Sequence, residues 1–260
     1  MNPYRDAFYN RQAEWHGYTS TEFAKAKHEE RLAYYAWYTQ GWLPQSHSTP
    51  ILDIGCGSGQ FLYFLRKRGF DQAVGIDLDR AQVEVGGSLG LNTICVSVQD
   101  FLADDQRAYG LIAMLDILEH FTREELYPLL ESVTARLGPG GRLIASVPNA
   151  DSPQGARALY ADITHEIAFT PTSLSELFFC HGLKVLDFRD PWPAPVSTLR
   201  KGYRALSLMM RKLEAARLRL LGFDAPEYWS SVIWVLAEKP LPSGVANGGR
   251  NGSLRTDTAR

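Results

Sequence analysis

The stretch 50-PILDIGCGSGQFLYFLRKRGF-70 decides how the rest of the chain is read. Ile51–Ile54 is a short apolar run that suits a buried strand, with Asp53 as its one charge. Gly55, Gly57 and Gly59 follow within five residues, and Phe61–Arg68 then carries a helical apolar pattern that Gly69 stops. A strand that ends in a glycine-rich turn at the mouth of a helix is suited to ligand binding. Glycine lets the backbone take unusual φ values and come close to a ligand. The helix start offers unpaired N–H groups and a partial positive charge. The spacing is G-x-G-x-G, and Gln60 stands where the dinucleotide pattern G-x-G-x-x-G would need its last glycine. Asp53, two residues before the first glycine, suits a ligand that carries an ammonium group near its anionic end.

Outward from this stretch the pattern alternates. Ala73–Ile76 reads as a second strand closed by Asp77, residues 79–88 as a helix, Asn92–Val96 as a third strand and Tyr109–Leu115 as a fourth. Arg123–Leu137 reads as a helix, 138-GPGG-141 as a turn and Arg142–Val147 as a fifth strand. Leu174–Cys180 is a further helix, Leu183–Phe188 a sixth strand and Ser231–Ala237 a last one. Strands separated by helices of this length imply βαβ units and a parallel sheet covered on both faces. Upstream, residues 1–48 read as a helical arm or lid, with eleven aromatic residues between Tyr4 and Trp42 and a helix over Thr21–Trp42. Residues 49–240 make the main domain, 191–229 interrupt its rhythm as an insertion, and 241–260 have the composition of a disordered tail.

Composition narrows the function. The chain has 260 residues, 45% of them hydrophobic, which is enough for a sizeable core. A net charge of -2 and a pI near 6.3 give no bulk basic character, so nucleic acid is not an expected partner. Cys56, Cys95 and Cys180 are scattered and form neither a disulfide framework nor a zinc spacing, and no metal set is read from the sequence. The first twenty residues lack the apolar core of a signal peptide, and no window is long and apolar enough to span a membrane. A cytoplasmic protein is expected, with peripheral contact at the inner face of the membrane as an option.

With these residues in view, Asp53-x-Gly55-x-Gly57-x-Gly59 resembles the first motif of class I S-adenosylmethionine (SAM) dependent methyltransferases. The resemblance continues in order through Asp77-Leu78, 98-VQDF-101, 115-LDILEHF-121 and 137-LGPGGRLIASVPN-149. It implies a Rossmann-like α/β/α sandwich of seven strands, mostly parallel with a final antiparallel strand, and SAM as the cofactor. It also implies that Asp77 bonds the ribose hydroxyls and that Asp100, flanked by Gln99 and Phe101, accepts from the adenine amine. Leu115 and 118-LEH-120, with His120, would flank the methionine moiety.

On the acceptor side, 160-YADITHEIAFTPTSLSEL-177 places Asp162 and His165 three apart, on one face if the segment makes a helical turn. Thr170 or Ser173 would cap the next helix. The D-x-x-H-x-x-x-F-T-P pattern resembles a branch of the family thought to methylate sugars and other intermediates of bacterial surface polysaccharides and glycolipids. That resemblance implies O-methylation of a sugar or lipid-linked glycan, with His165 as base and Asp162 beside it. A phenolic or quinone-type small molecule is the rival acceptor, and a non-catalytic SAM-binding protein the rival class. Within the insertion, 199-LRKGYRALSLMMRKLEAARLRLL-221 is a basic helix with the stripe Leu206, Met209, Met210 and Leu213. It would meet an anionic membrane, the arm, or a second subunit in a homodimer.

Overall fold

The computed structural model describes residues 8, 11–15, 17 and 20–242; the tail from residue 243 onward, expected to be disordered, lies outside the described residues. A short helix α1 (Gln12–Trp15) precedes the arm helix α2 (Thr21–Tyr38). The alternating part then runs β1 (Ile51–Ile54), α3 (Gln60–Lys67), β2 (Ala73–Asp77), α4 (Arg80–Ser88), β3 (Thr93–Cys95), α5 (Val98–Asp104) and β4 (Tyr109–Leu115). A 3-10 turn (Leu118–His120) leads into α6 (Arg123–Arg136), β5 (Leu137–Pro148), α7 (Gly155–Leu159), α8 (Pro171–Cys180) and β6 (Lys184–Arg189). The insertion helix α9 (Thr198–Leu220) and β7 (Val232–Glu238) complete it.

The sheet order is β3-β2-β1-β4-β5-β7-β6. β7 is antiparallel to both β5 and β6, and all other pairs are parallel. Strand order reverses between β1 and β4, so their carboxyl ends flank a crevice, the place where open α/β sheets take ligands. Alternate residues of each strand serve opposite faces. Leu52, Ile112, Met114, Leu143, Ala145, Ile233 and Val235 pack toward α6 and α8 through Leu130, Val133, Leu174 and Phe178. Ile51, Leu111, Ala113, Ile144 and Trp234 pack toward α3 and the arm through Phe61, Phe64, Leu65 and Tyr35. Both faces are covered, as the strand–helix alternation requires.

The arm joins this second layer. His28 is fully buried on α2 and its Nε2 meets Ser58 Oγ of the glycine loop at 3.1 Å. Burial pushes the imidazole pKa down to about 4, so this contact is made by a neutral ring. The helix predicted to reach Trp42 stops at Tyr38, because Gly41 takes a φ of 77° and turns Trp42 inward. Trp42 is 2% exposed, donates from Nε1 to Asp187 at 3.0 Å and lies under the Arg189 guanidinium, 4.2 Å from ring centroid to Cζ.

Three further features bear on the site, two of them departures from the sequence expectation. The 138-GPGG-141 segment is no separate turn; it is wound into the start of β5 with a register shift against β4, and Gly140 N–H bonds Lys239 carbonyl. The segment around Asp100 is helical, because Ser97 caps α5. Residues 160–165 form irregular turns, and Asp162 accepts from the Thr164 backbone and hydroxyl instead of sharing a helix face with His165.

The insertion is tied to the arm by cations over rings. Arg200 lies 5.3 Å from the Tyr34 centroid and 5.0 Å from that of Trp192, and Arg204 lies 5.2 Å from that of Trp37. Arg204 also donates to Pro193 carbonyl, and Arg211 to Asp190 and Trp192. Trp42 is a large buried pin at the end of the arm. Trp42→Ala should therefore lower stability by about 3–5 kcal/mol, read as a lower urea midpoint at unchanged slope.

Candidate active site

The crevice is a cleft of about 280 Å³ walled by Gly55, Gly57, Asp77, Leu78, Val96, Asp116, Ile117 and His120, among others. Its floor is the glycine loop. Gly55 has a φ of 72° and Gly57 of 52°; a Cβ on Gly55 would lie 1.9 Å from Ile117 Cδ1 and one on Gly57 2.8 Å from Gln82 Oε1. The loop is thus a cradle that no side chain could share. Gly59, φ 80°, starts α3 under Leu91 and does not line the cleft.

Four carboxyls gather at the carboxyl ends of β1, β2 and β4. Asp77 ends β2; Oδ2 accepts from Gly57 N–H at 2.7 Å and Oδ1 from Asp79 N–H at 2.8 Å. Each oxygen keeps a second lone pair, so the carboxylate can still accept from a diol. Burial raises its pKa, and the two N–H bonds only partly offset this. Asp53 is 2% exposed, and its Oδ2 has no hydrogen-bond partner among the described residues. Burial, reinforced by Asp77, holds its pKa well above the ordinary 3.8. Asp116 follows β4 with a φ of 55°, a left-handed conformation that Asp tolerates better than most residues. Ser146 Oγ donates to Asp116 Oδ1 at 2.8 Å and fixes the carboxyl in the cleft wall, where desolvation raises its pKa. Glu119, in the 3-10 turn, is 1% exposed, and its Oε2 also lacks a partner among the described residues. Burial first, then the Asp116 and Asp162 charges, hold it well above the ordinary 4.5.

The acceptor-side histidines are rigidly oriented. His165 Nδ1 lies 3.2 and 3.0 Å from the carbonyls of Ala158 and Leu159. Both partners only accept, so Nδ1 carries the proton and Nε2 turns toward Glu119 Oε1, 4.0 Å away. Thr164 Oγ1 donates to Asp162 Oδ1 at 2.7 Å and lies 2.9 Å from His120 Nδ1, which must then be the donor. Burial pushes Asp162 up, but the Thr164 bonds and the nearby His120 and His165 outweigh it and bring the carboxyl below its ordinary value. The two imidazoles meet edge to face at 4.7 Å.

Of the residues singled out in the sequence, Gly55, Gly57, Asp77, Leu78 and His120 line the cleft, with Asp53 buried beside the loop. His165 and Asp162 join through Glu119 and His120. Four others sit elsewhere. Asp100 and Gln99 lie exposed on the first turn of α5, Asp100 bonded by Ser97 Oγ at 2.6 Å, and Gln99 faces a separate groove with Leu102 and Pro128. Phe101 is in the core, and Leu115 packs with the Trp42 layer. Asp116 and Thr164 were not singled out, and Glu119 was read only within 118-LEH-120. An acid directly after a strand was the signal that flagged Asp77, and it marks Asp116 equally; Thr164 carries no such signal.

A doubly wound sheet with one reversed strand, and a glycine cradle at its switch point facing an acid at the end of β2, is the arrangement of a nucleoside-binding α/β enzyme, and the family match makes it a SAM-dependent methyltransferase. The model of the family described as methyltransferase domain matches residues 18–187, and the chain belongs to that family. Among curated relatives, human EEF1A lysine methyltransferase 2 is 36% identical over 83 residues, covering 29% of this chain and 35% of its own. The ubiquinone biosynthesis O-methyltransferase of Chromobacterium violaceum is 27% identical over 108 residues, covering 39% and 45%. The matches thus span less than half the length of these relatives. A SAM-dependent methyltransferase structure from Archaeoglobus fulgidus superposes with a TM-score of 0.57 at 21% identity, covering 85% of this chain and 95% of that one. The 1,6-didemethyltoxoflavin-N1-methyltransferase of Burkholderia thailandensis, solved with 1,6-didemethyltoxoflavin and S-adenosylhomocysteine, gives 0.55 at 19%, covering 92% and 91%.

Asp53 and Asp77 have raised pKa values, so both keep protons to a higher pH than ordinary carboxyls. A cationic, diol-bearing ligand needs their charged forms. SAM affinity should therefore rise with pH above the ordinary carboxylate range and fall as pH drops into it, and Asp53→Asn should flatten that dependence. Asp77→Ala should weaken SAM roughly 10- to 100-fold at neutral pH. Titration calorimetry over a pH series measures both; a wild-type affinity independent of pH would show the two carboxyls to be spectators.

Proposed function

We propose that the protein transfers the methyl group of SAM to a hydroxyl oxygen of a sugar or lipid-linked glycan intermediate. The observation that carries this reading is His165: its Nδ1 is pinned on two carbonyls, which leaves Nε2 as the acceptor nitrogen, and its ring packs against His120, a residue of the cleft wall. A hydroxyl acceptor sheds a proton as its oxygen is methylated, and a fixed lone pair at that place meets the need. SAM, when bound, supplies an already activated methyl on a sulfonium. Asp53 would hold its ammonium, Asp77 its ribose hydroxyls, and the Gly55–Gly57 cradle the backbone between them. The raised, mutually repelling carboxyls favour a ligand that carries two positive charges.

The D-x-x-H-x-x-x-F-T-P segment supports the glycan acceptor, with Thr170 capping α8 through Ser173 and fixing where the Asp162–His165 turns end. A lipid-linked substrate is supported by α9, whose Leu206, Met209, Met210 and Leu213 are all more than half exposed. A second reading, a phenolic or quinone-type acceptor, is favoured by the ring cluster of Tyr34, Trp37, Tyr38 and Trp192 joined through Arg200 and Arg204.

Incubating the protein with SAM and cell extract, then searching by mass spectrometry for products heavier by one methylene, separates the two acceptors. His165→Asn should leave SAM affinity unchanged and lower turnover roughly 10²- to 10⁴-fold. Near-normal turnover in a folded mutant rules out His165 as the proton-handling group.

No helix among the described residues is long and apolar enough to cross a membrane, so contact with lipid would be peripheral. Arg204 and Arg211 hold α9 to its own base and the exposed Arg217 pairs with Glu214, which leaves Lys201, Lys212 and Arg219 as further exposed cations on α9. Wild-type protein should float with anionic vesicles and not with neutral ones. Replacing Lys201, Lys212 and Arg219 with Gln should abolish the difference, since each cation near such a surface contributes about 1 kcal/mol.

A further inference from the structure

We propose that Glu119, His120 and His165 form a binding site for a divalent transition-metal cation at the acceptor end of the cleft. One ligand atom from each of these side chains lies within 4.8 Å of the others, close enough for small side-chain shifts to bring all three onto a single ion. The residues come from two separate segments, the 3-10 turn after β4 and the loop before α8, and nothing in their sequence spacing brings them together.

Three features set this cluster apart from an ordinary buried ion pair. Glu119 is 1% exposed, and Oε2 has no hydrogen-bond partner among the described residues, although a buried carboxylate normally uses both oxygens. An imidazolium at His165 would sit 4.0 Å from Oε1 and still leave Oε2 unsatisfied. Second, His165 is held from behind in the manner of a metal-binding histidine: its Nδ1–H is directed at the Ala158 and Leu159 carbonyls, which fixes the tautomer and exposes the Nε2 lone pair. Third, His120 is held by a relay through Thr164 Oγ1 to Asp162, the carboxylate–hydroxyl–imidazole chain that orients a ligand and raises its basicity. Two imidazoles and one carboxylate suit Mn²⁺, Fe²⁺, Co²⁺ or Zn²⁺ better than Mg²⁺ or Ca²⁺. The carboxyls at the cleft, Asp116 included, add a negative field that favours the ion.

Three protein ligands would leave coordination positions open, and His120 among them also lines the cleft. Resting on the hydroxyl-acceptor reading above, the cation binds the acceptor oxygen and lowers its pKa, and the proton passes to water in the open cleft. An oxygen lone pair then forms the O–C bond to the methyl carbon. The C–S bond breaks, and its electron pair stays on sulfur, which becomes a neutral thioether. In this scheme His165 acts through the ion, and Asp162 and Thr164 are positioning residues.

The test uses the full chain, freed of metal by dialysis against a chelator and titrated with MnCl₂, with free Mn²⁺ read by electron paramagnetic resonance. About one equivalent should bind. Glu119→Gln and His165→Asn should each weaken binding by about 100-fold or more, and Thr164→Val by roughly 10- to 100-fold. Circular dichroism and retained SAM affinity confirm that each variant is folded, and the partly exposed His165 serves if Glu119→Gln does not fold. Asp77→Ala should lose SAM and keep Mn²⁺. Wild-type protein that takes up neither Mn²⁺ nor Zn²⁺, or Mn²⁺ affinity unchanged in both ligand variants, overturns the site. Methyl transfer that survives chelation overturns the catalytic role and leaves direct proton removal by His165 standing. Mn²⁺ uptake without SAM binding would instead overturn the methyltransferase reading and leave the cation site in place.

Discussion

The structure turns on the crowding of carboxyls where the central strands end. Asp53, Asp77, Asp116 and Glu119 are packed around one crevice, and no Lys or Arg is among the residues that wall it. Burying an unpaired carboxylate is costly, and each of these four responds by holding its proton to higher pH than usual. Fold topology explains why they are there. Parallel strands put every carboxyl end on one edge, and the reversal of order between β1 and β4 opens that edge to a ligand. A site built this way favours positively charged ligands, which is the basis of the proposed placement of SAM at the Asp53 and Asp77 end and of the proposed cation at Glu119.

Around this edge the molecule is braced by contacts that span the chain. The arm helix is pinned to the glycine loop through His28 and Ser58, and to the far edge of the sheet through Trp42, Asp187 and Arg189. The insertion rests on the same arm through Arg200 and Arg204. Arm and insertion are therefore joined to each other, and the arm is joined to the sheet's outermost strand, β6.

The turn at 160–165 shows how local hydrogen bonding redirects chemistry. A helical turn would have aimed Asp162 and His165 the same way. Instead Asp162 closes on Thr164, as short acids do in irregular turns. His165 is freed to swing back to the carbonyls at the end of α7, and Thr164 is delivered to His120. One change of partner converts an expected acid–base pair into two supports for a cluster centred on Glu119.

Much of this protein was determined along the chain. The strand, glycine loop and helix of residues 51–67, the acid ending β2, the seven strands and the cap at Thr170 all rest on interactions between residues a few positions apart, and short-range patterns record them. That is why the fold, the glycine loop and the acid opposite it were legible. Phe101 lies in the core, and an aromatic beside a ligand motif and an aromatic in a core look alike until the helix around it is known to turn it inward. The tertiary structure alone decided that His165 approaches Oε1 of Glu119, forty-six positions away, while Oε2 has no partner among the described residues, and that Trp42 reaches Asp187. Periodicity reports that a side chain is buried; which distant group it is buried against depends on how loops of irregular backbone fold over the strand ends, and no local spacing encodes that.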